Sequence, residues 1–305
     1  MKLTLGPVQF HWEPEEWRDF YFRIADESPF DTVVTGEVVC SKRKPFYDQY
    51  LPEVIERLKA AGKEVYLGSL LLVTLERERR QTLELIEQSG VPVEVNDLTC
   101  LASMQGKSHA IGPYINTYNE ATAAYFARNG ATRICLPPEL PATSVATIVQ
   151  NAPEVAIEVF AFGRLPLAIS ARCYHARLHK LSKDNCKFVC NQDPDGLTVD
   201  TMDGEHFLAM NGVQTMSFTV SNLLGEAKDL ERMGVKSLRL SPQHCDMVEV
   251  ARIFRDTLDG KTSVEDGQTK LKAIYPEASF SNGFSHGSSG SKWVSERLED
   301  QMGAV

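Results

Sequence analysis

Two patterns of apolar and polar positions alternate along the chain. Short runs rich in β-branched residues, such as "DTVVTGEVVC" at 31–40, are typical of buried strands. Between them lie longer stretches in which apolar residues recur at helical spacing, such as "YDQYLPEVIERLKAAG" at 47–62. The apolar stripe of that stretch consists of Leu51, Val54, Ile55 and Leu58. Gly62 is a signal for the end of the helix. The alternation predicts strands separated by amphipathic helices.

Eight predicted strands follow one another in this way. Each strand after the first is preceded by a helix or a helix-sized connection, which indicates parallel βαβ units. The count favours an α/β fold of the TIM-like (β/α)8 barrel type over an open, doubly wound sheet. No G-x-G-x-x-G motif follows a strand, so nothing favours a dinucleotide-binding sheet.

The pattern is interrupted once, between the seventh and the eighth strand. Residues 170–219 contain turns at "DPDG" and "MDG" and two short strand patterns, "FLAMNG" and "VQTMSFTV". We interpret them as an insertion after strand seven on the C-terminal face of a barrel formed by residues 1–260. Residues 261–305 are expected to form a partly flexible tail, because "SFSNGFSHGSSGS" is rich in glycine and serine. A short helix is predicted at 291–300.

The composition narrows the class of protein. It is 43% hydrophobic and 24% charged, as in ordinary globular proteins, and the net charge of −9 argues against a general nucleic-acid-binding protein. The first residues lack a signal-peptide pattern, and no apolar run approaches about 18 residues. We therefore expect a cytoplasmic protein. Thiols stay mostly reduced in the cytoplasm, so the seven cysteines are not expected to form a disulfide framework.

Three cysteines lie close together in the predicted insertion. Cys173, Cys186 and Cys190 have the spacing C-x12-C-x3-C within "SARCYHARLHKLSKDNCKFVC". Thiolates four residues apart can face the same ion, but three thiolates leave a four-coordinate site incomplete. Cys40 is the best candidate for the fourth ligand, because it ends a predicted strand. In a parallel barrel the C-terminal ends of strands share one face with the start of the insertion.

The other cysteines fit less well. Cys135 suits a buried apolar position, Cys100 lies several residues past a strand, and Cys245 stays an alternative ligand. Four thiolates suit zinc or an iron–sulfur cluster, and their spacing does not decide between the two. Unrelated buried cysteines are the remaining interpretation.

Further polar residues of this segment are interpreted as surface. His175 and His179 are four residues apart and could ligate a metal, and Arg172, Arg177 and Lys180 accompany them. Because four thiolates already complete a site, we interpret all five as a solvated or anion-facing surface.

Outside the segment, most polar motifs are interpreted structurally. Asn119 is a predicted helix N-cap, and Arg239 is expected to contact either an anionic substrate or a carboxylate. The chain has no G-x-S-x-G and no H-E-x-x-H motif, and no nucleophile is paired by spacing with His109 or His244. Peptidase activity is therefore disfavoured.

Seven motifs in a fixed order carry a family resemblance. They are "GEVVCSKR", "NTYNEAT", "LPPEL", "LPLAISARCYHAR", "CKFVC", "NGVQTMS" and "LRLSPQ". Together they resemble the UbiV family of the collagenase-like peptidase superfamily, from Leu5 to about Phe254. The resemblance implies a barrel-type fold and favours a [4Fe–4S] cluster over zinc. The family's cluster ligands match Cys40, Cys173, Cys186 and Cys190.

The resemblance also implies a function. Members of this family pair with a UbiU-like cluster protein as a heterodimer in oxygen-independent ubiquinone biosynthesis. The pair hydroxylates the aromatic ring of the prenylated quinone precursor, together with a UbiT-like lipid-binding accessory protein. We therefore expect an iron–sulfur subunit of such a hydroxylase. A non-catalytic subunit held together by its cluster is the alternative, and a peptidase is the less favoured one.

Overall fold

The fold is built around a closed barrel of eight parallel strands. A computed structural model of the chain describes residues 1–88, 90–296 and 298. The strands in its described part are β1 (Lys2–Leu5), β2 (Thr32–Thr35), β3 (Glu64–Gly68), β4 (Val93–Val95), β5 (His109–Ile111), β6 (Ala131–Cys135), β7 (Ala156–Ile169), β8 (Leu197–Asp200), β9 (His206–Asn211), β10 (Gln214–Asn222), β11 (Ser237–Leu240) and β12 (Phe280–Ser281). Strands β1 to β7 pair in order, and β11 pairs in parallel with both β7 and β1. This closure confirms the predicted TIM-like (β/α)8 barrel.

Helices surround the barrel. Those in the described residues are α1 (Pro14–Glu27), α2 (Lys44–Tyr47), α3 (Leu51–Ala60), α4 (Glu76–Gln88), α5 (Leu101–Met104), α6 (Glu120–Arg128), α7 (Ala142–Asn151), α8 (Tyr174–Leu178), α9 (Ala227–Met233), α10 (Met247–Leu258) and α11 (Val264–Ile274). None of the helices in the described part of the chain has the length and apolar character needed to cross a bilayer.

Helix α10 illustrates how the sequence produces these elements. Asp246 is its N-cap, and the carboxylate accepts hydrogen bonds from the amides of Val248 and Glu249 at 3.1 and 3.2 Å. Val250 and Phe254, four residues apart, are fully buried, so the apolar stripe of the helix faces the strands. Asn119 caps α6 in the same way, as predicted, by accepting a hydrogen bond from the amide of Thr122 at 2.8 Å.

The middle of the barrel is filled by charged side chains. Arg239 donates hydrogen bonds to Glu158 at 2.8 Å and to Glu94 at 3.2 Å, and all three are buried. Arg133 lies 3.6 Å from both carboxylates and 4.4 Å from the ring centre of Tyr66. Burial by itself would raise the pKa of Glu158, but Arg133 and Arg239 lower it to about 2. Arg239 therefore contacts carboxylates, one of the two outcomes that the sequence left open.

The insertion is an antiparallel sheet that continues strand β7 beyond the barrel. Strand β7 pairs with β10, β10 with β9 and β9 with β8. The strands β9 and β10 were predicted, whereas β8 was not. Strand β7 is part of both the barrel and this sheet. The insertion is therefore fixed to the C-terminal face of the barrel.

Regular elements after residue 260 pack against the rest of the chain. Helix α11 contacts α10, and β12 pairs in parallel with β10. A Cβ atom at Gly290 would lie 2.3 Å from the ring of Phe284, so this glycine allows a close contact. The division at residue 260 stays a prediction. The helix predicted at 291–300 lies partly outside the described residues, and 292–295 have no regular secondary structure.

Candidate metal centre

Four cysteines from two distant parts of the chain line one pocket at the C-terminal face of the barrel. Its empty space is about 390 Å³, part of it open to solvent. These cysteines are Cys40, Cys173, Cys186 and Cys190. All four are free thiols. The structure thus brings together the four predicted ligands, whereas Cys100, Cys135 and Cys245 lie outside this pocket.

Cys40 lies in a loop and not at a strand end as predicted. Strand β2 ends at Thr35, and Gly36 follows with φ of 98°, a left-handed conformation that favours glycine. The Glu37 carboxylate then accepts hydrogen bonds from the amides of Val39 at 2.7 Å and Cys40 at 2.9 Å. Glu37 therefore fixes the backbone that carries the first thiol.

Cys173 follows β7 and begins helix α8. Its Sγ atom accepts a hydrogen bond from the amide of Ala176 at 3.5 Å. Just before it, the amide of Ser170 donates to the carbonyl of Val213 at 2.9 Å, which ties this segment to the turn between β9 and β10. Val213 also lines the pocket, so the sheet of the insertion forms one of its walls.

Cys186 and Cys190 are joined by a sharp reversal of the chain. Lys187 and Phe188 between them have φ of 49° and 53°, which is unusual for residues with large side chains. The ring centre of Phe188 lies 4.8 Å from that of Phe46 and 5.9 Å from that of His11. Aromatic packing of this kind holds the reversal, and with it the two thiols, in position.

Arg43 is a buried cation in the wall of the pocket that the sequence analysis did not identify. It is 1% exposed and donates hydrogen bonds to the carbonyl of Gln9 at 2.9 Å and to Asn211 Oδ1 at 3.0 Å. Both acceptors are neutral, its Nε atom has no partner, and no ion pair in the described chain includes it. Burial by itself would lower the pKa of Arg43, but Cys190 and the buried Glu37 carboxylate nearby raise it. Arg43 therefore has a negative group in its vicinity but no direct ion pair, which is costly for a buried cation.

The thiols by themselves add no negative charge to the pocket. Burial raises the pKa of both Cys40 and Cys190, so these groups are protonated near neutral pH. Lys42 and Lys183 also line the pocket. Together with Arg43 they make it a favourable place for a group that brings negative charge or turns the thiols into thiolates. The donor set and the charges therefore fit a thiolate-bound metal centre.

The prediction that His175 lies on the surface is wrong. It is buried at 1% exposure, not part of the surface, and its Nε2 atom is hydrogen-bonded to Asp193 Oδ2 at 2.8 Å. Burial lowers the pKa of His175, although Asp193 opposes the effect. His179 is exposed, with its ring stacked on that of His175 at 5.6 Å. Asp193 was missed because its only sequence signal is the "DPDG" turn.

These three residues also form a compact donor set. Among the described residues they are the one group of three or more whose ligand atoms all lie within 4.8 Å of one another. The four cysteines do not form such a group. Their sulfur atoms are therefore more widely spaced around the pocket.

Amide side chains fill the mouth of the barrel, where enzymes with this fold usually have their active sites. Gln9, Asn211 and Gln214 are at most 2% exposed and form a connected set. Gln214 Nε2 donates to Gln9 Oε1 and Asn211 Nδ2 to Gln214 Oε1, both at 3.0 Å. Because Arg43 donates to Asn211, the cysteine pocket is hydrogen-bonded directly to the barrel interior.

His109 and His244 are hydrogen-bonded to groups that are not nucleophiles. His109 is bonded to the carbonyl of Lys107 at 2.8 Å and His244 to Glu16 at 2.9 Å. Neither bond links a histidine to a serine or cysteine nucleophile, as hydrolysis by a Ser–His or Cys–His pair would require.

A comparison with known protein families identifies the family of the chain. The family model described as Peptidase family U32 matches residues 14–295. The matched range includes the barrel strands β2 to β7 and β11, the loop of Cys40 and the whole insertion. Since the match extends over nearly the whole sequence, the chain belongs to Peptidase family U32.

Proposed function

We propose that the protein is an iron–sulfur subunit of an oxygen-independent hydroxylase in ubiquinone biosynthesis. The observation that carries the proposal is the pocket that four free thiols line together with the buried guanidinium of Arg43. The motif resemblance to the UbiV family supplies the pathway. In this proposal Cys40, Cys173, Cys186 and Cys190 are the ligands of a [4Fe–4S] cluster.

The spacing of the thiols supports a cluster over a single zinc ion. Four thiolates on one zinc lie about 3.8 Å apart, because the Zn–S bond is about 2.3 Å and the geometry is tetrahedral. No three of these sulfur atoms lie within 4.8 Å of one another in the described chain. In a cluster each thiolate binds a different iron, which requires wider spacing.

A bound cluster would supply one-electron transfer, since four cysteines on four irons leave no open iron for substrate. The residues of the chain have supporting roles. Arg43 offsets the negative charge of the thiolates, and the backbone amides held by Glu37 fix the position of Cys40. The exposed cations Arg172 and Arg177 lie close in sequence to Cys173, and their positive charge would raise the reduction potential of a bound group.

The proposed partners follow from the same resemblance. The protein would act in the cytoplasm as a heterodimer with a UbiU-like cluster protein, on a prenylated aromatic quinone precursor. A UbiT-like protein would present that lipid. Gln9 and Gln214 at the mouth of the barrel are buried, so a substrate has no access to their side chains. This favours binding of the substrate outside the barrel centre.

Two other functions are weighed against this one. A non-catalytic subunit would use the same cluster to hold the insertion against the loop of Cys40. A peptidase, as the family name says, would need a nucleophile and a base, and neither His109 nor His244 is bonded to a nucleophile. The non-catalytic subunit would bind the same cluster as the proposed hydroxylase subunit. It differs only in that the cluster would stabilise the fold and would not transfer electrons.

Anaerobic purification followed by iron and sulfide analysis tests the proposal. We expect about four irons and four sulfides per chain, as in a [4Fe–4S] cluster, and loss of both when any of the four ligands is replaced by serine. Cys245→Ser is the matched control, since Cys245 is partly buried but lies outside the pocket. Zinc or no metal in the wild type would refute the cluster. A Cys40→Ser variant that lost the cluster yet supported anaerobic quinone synthesis would favour the non-catalytic subunit.

A further inference from the structure

The segment that carries three of the four cysteines has a charge opposite to that of the chain. Residues 170–190 contain five Lys and Arg residues against one acidic residue, a net charge of +4 in a protein with a net charge of −9. The cations are Arg172, Arg177, Lys180, Lys183 and Lys187. This concentration gives one face of an acidic molecule a positive potential.

The charge of this face is not neutralised within the chain. Arg172, Arg177, Lys180 and Lys187 are exposed, and none of them has an ion pair among the described residues. The single acidic side chain of the segment, Asp184, lies 3.2 Å from Lys42, a cation outside the segment. The exposed cations are therefore available to a partner.

Apolar side chains are exposed on the same face. Helix α8 buries His175 and Ala176 towards the protein, and its opposite side carries Tyr174, Arg177 and Leu178. Tyr174 is 41% exposed and Leu178 is 53% exposed. Residues three and four apart on a helix are neighbours, so these three side chains form one patch. Tyrosine and arginine around an apolar centre are typical of protein–protein interfaces.

This basic face lies beside the cysteine pocket. Helix α8 begins directly after Cys173, and Lys187 directly follows Cys186. A protein bound to the patch would therefore lie against the wall of the pocket. A partner that exchanges electrons with a group in the pocket needs that proximity.

We propose that the basic face, defined by Arg172, Tyr174, Arg177, Leu178 and Lys187, docks a small acidic electron-transfer protein. The reduced carrier gives up one electron and the cluster in the pocket takes it up, so the carrier is oxidised and the cluster reduced. This inference rests on the proposed cluster. Complementary charge would accelerate the encounter, and the apolar patch would hold the complex.

A protein fits this face better than a membrane does. Helix α8 has five residues, too few for the amphipathic helices that lie in a lipid surface, and the chain as a whole is acidic. Binding to anionic lipid is therefore an outcome that the experiment must separate from protein docking.

Stopped-flow reduction of the anaerobic protein tests the inference, with a plant-type [2Fe–2S] ferredoxin as the acidic carrier. We expect Arg172→Glu/Arg177→Glu to lower the second-order rate at least tenfold at low ionic strength. The difference should shrink as salt is added. The control Lys59→Glu/Arg128→Glu reverses two exposed cations on α3 and α6 and should leave the rate unchanged. Reduction by the cationic methyl viologen radical should not slow in the test variant.

The possible outcomes separate failure of docking at the basic face from absence of the cluster. Equal ferredoxin rates in the test variant and the control variant would overturn docking at this face. A wild type without iron and sulfide would overturn the cluster itself. A wild type that holds four irons but is reduced by neither ferredoxin nor viologen would overturn the electron-transfer inference while leaving the cluster in place. Binding of the wild type to phosphatidylglycerol vesicles, lost in the test variant while the ferredoxin rate stays the same, would assign the face to a lipid surface and refute the inference.

Discussion

The carboxylate of Glu158 inside the barrel is expected to make the stability of the fold depend on pH. Its pKa is about 2, against an ordinary value of 4.5, because Arg133 and Arg239 outweigh the effect of burial. At about 1.4 kcal/mol for each pKa unit, this difference corresponds to about 3 kcal/mol. A lowered pKa in the folded state means stability that is present above pH 4.5 and lost as the pH falls towards 2. About 2 kcal/mol of it should be lost by pH 3.

Glu158→Gln isolates this contribution. The amide keeps the size of the side chain and an acceptor for Ser237, which donates to Glu158 at 2.9 Å, but it removes the charge that Arg239 faces. We expect about 3–5 kcal/mol of destabilisation at pH 7, because a buried cation loses one of its counter-charges. The gap between the wild type and the variant should narrow by about 2 kcal/mol at pH 3.

Urea unfolding followed by circular dichroism at pH 7, 5 and 3 measures both effects. The exposed Glu154, replaced by glutamine, is the control and should follow the wild type at every pH. If the wild type and Glu158→Gln lost the same free energy of unfolding between pH 5 and pH 3, the ion-pair network would not be the source of the acid sensitivity.

Three further substitutions test the cysteine pocket. Arg43→Met should lower iron retention after anaerobic desalting at least tenfold, and Arg43→Lys should recover part of it. If Arg43→Met retained as much iron as the wild type, the buried charge would not be needed. Glu37→Gln weakens the acceptor of two backbone amides and should lower the free energy of unfolding by about 1 kcal/mol; an unchanged urea midpoint would contradict this role. Phe188→Ala removes the ring that packs on Phe46 and should cost about 2 kcal/mol and reduce iron content; normal values of both would refute its role in the reversal.

The barrel could be predicted from sequence because its signal is local and repeated. Each unit carries its own apolar period, and closure follows from the number of units. Strand ends were less predictable. The run "TVVTGEVVC" reads as one strand to Cys40, yet Gly36 turns the chain after Thr35. Strand β8 was missed because half of its residues are exposed and it lies at the edge of the sheet among the described residues, paired with β9.

The cysteines of the pocket could be predicted because a parallel barrel brings the C-terminal ends of its strands to one face. Arg43 could not. It lies in "SKRKP", a run with three cations that resembles solvated surface, and its burial depends on Asn211 in the distant insertion. His175 was assigned to the surface for the same reason, since Asp193 is brought to it only by the fold. Gly290, taken as a sign of flexibility, allows close packing on Phe284.

The division of the pocket between two parts of the chain has a consequence for biogenesis. Cys40 leaves the ribosome early, but its companions follow only after seven barrel strands have been made. A chain that is truncated, or whose barrel has not closed, offers at most three thiols in one place. Delivery of a metal group that requires four would therefore discriminate against immature molecules, and under the proposed function loading would act as a checkpoint on completion of the barrel.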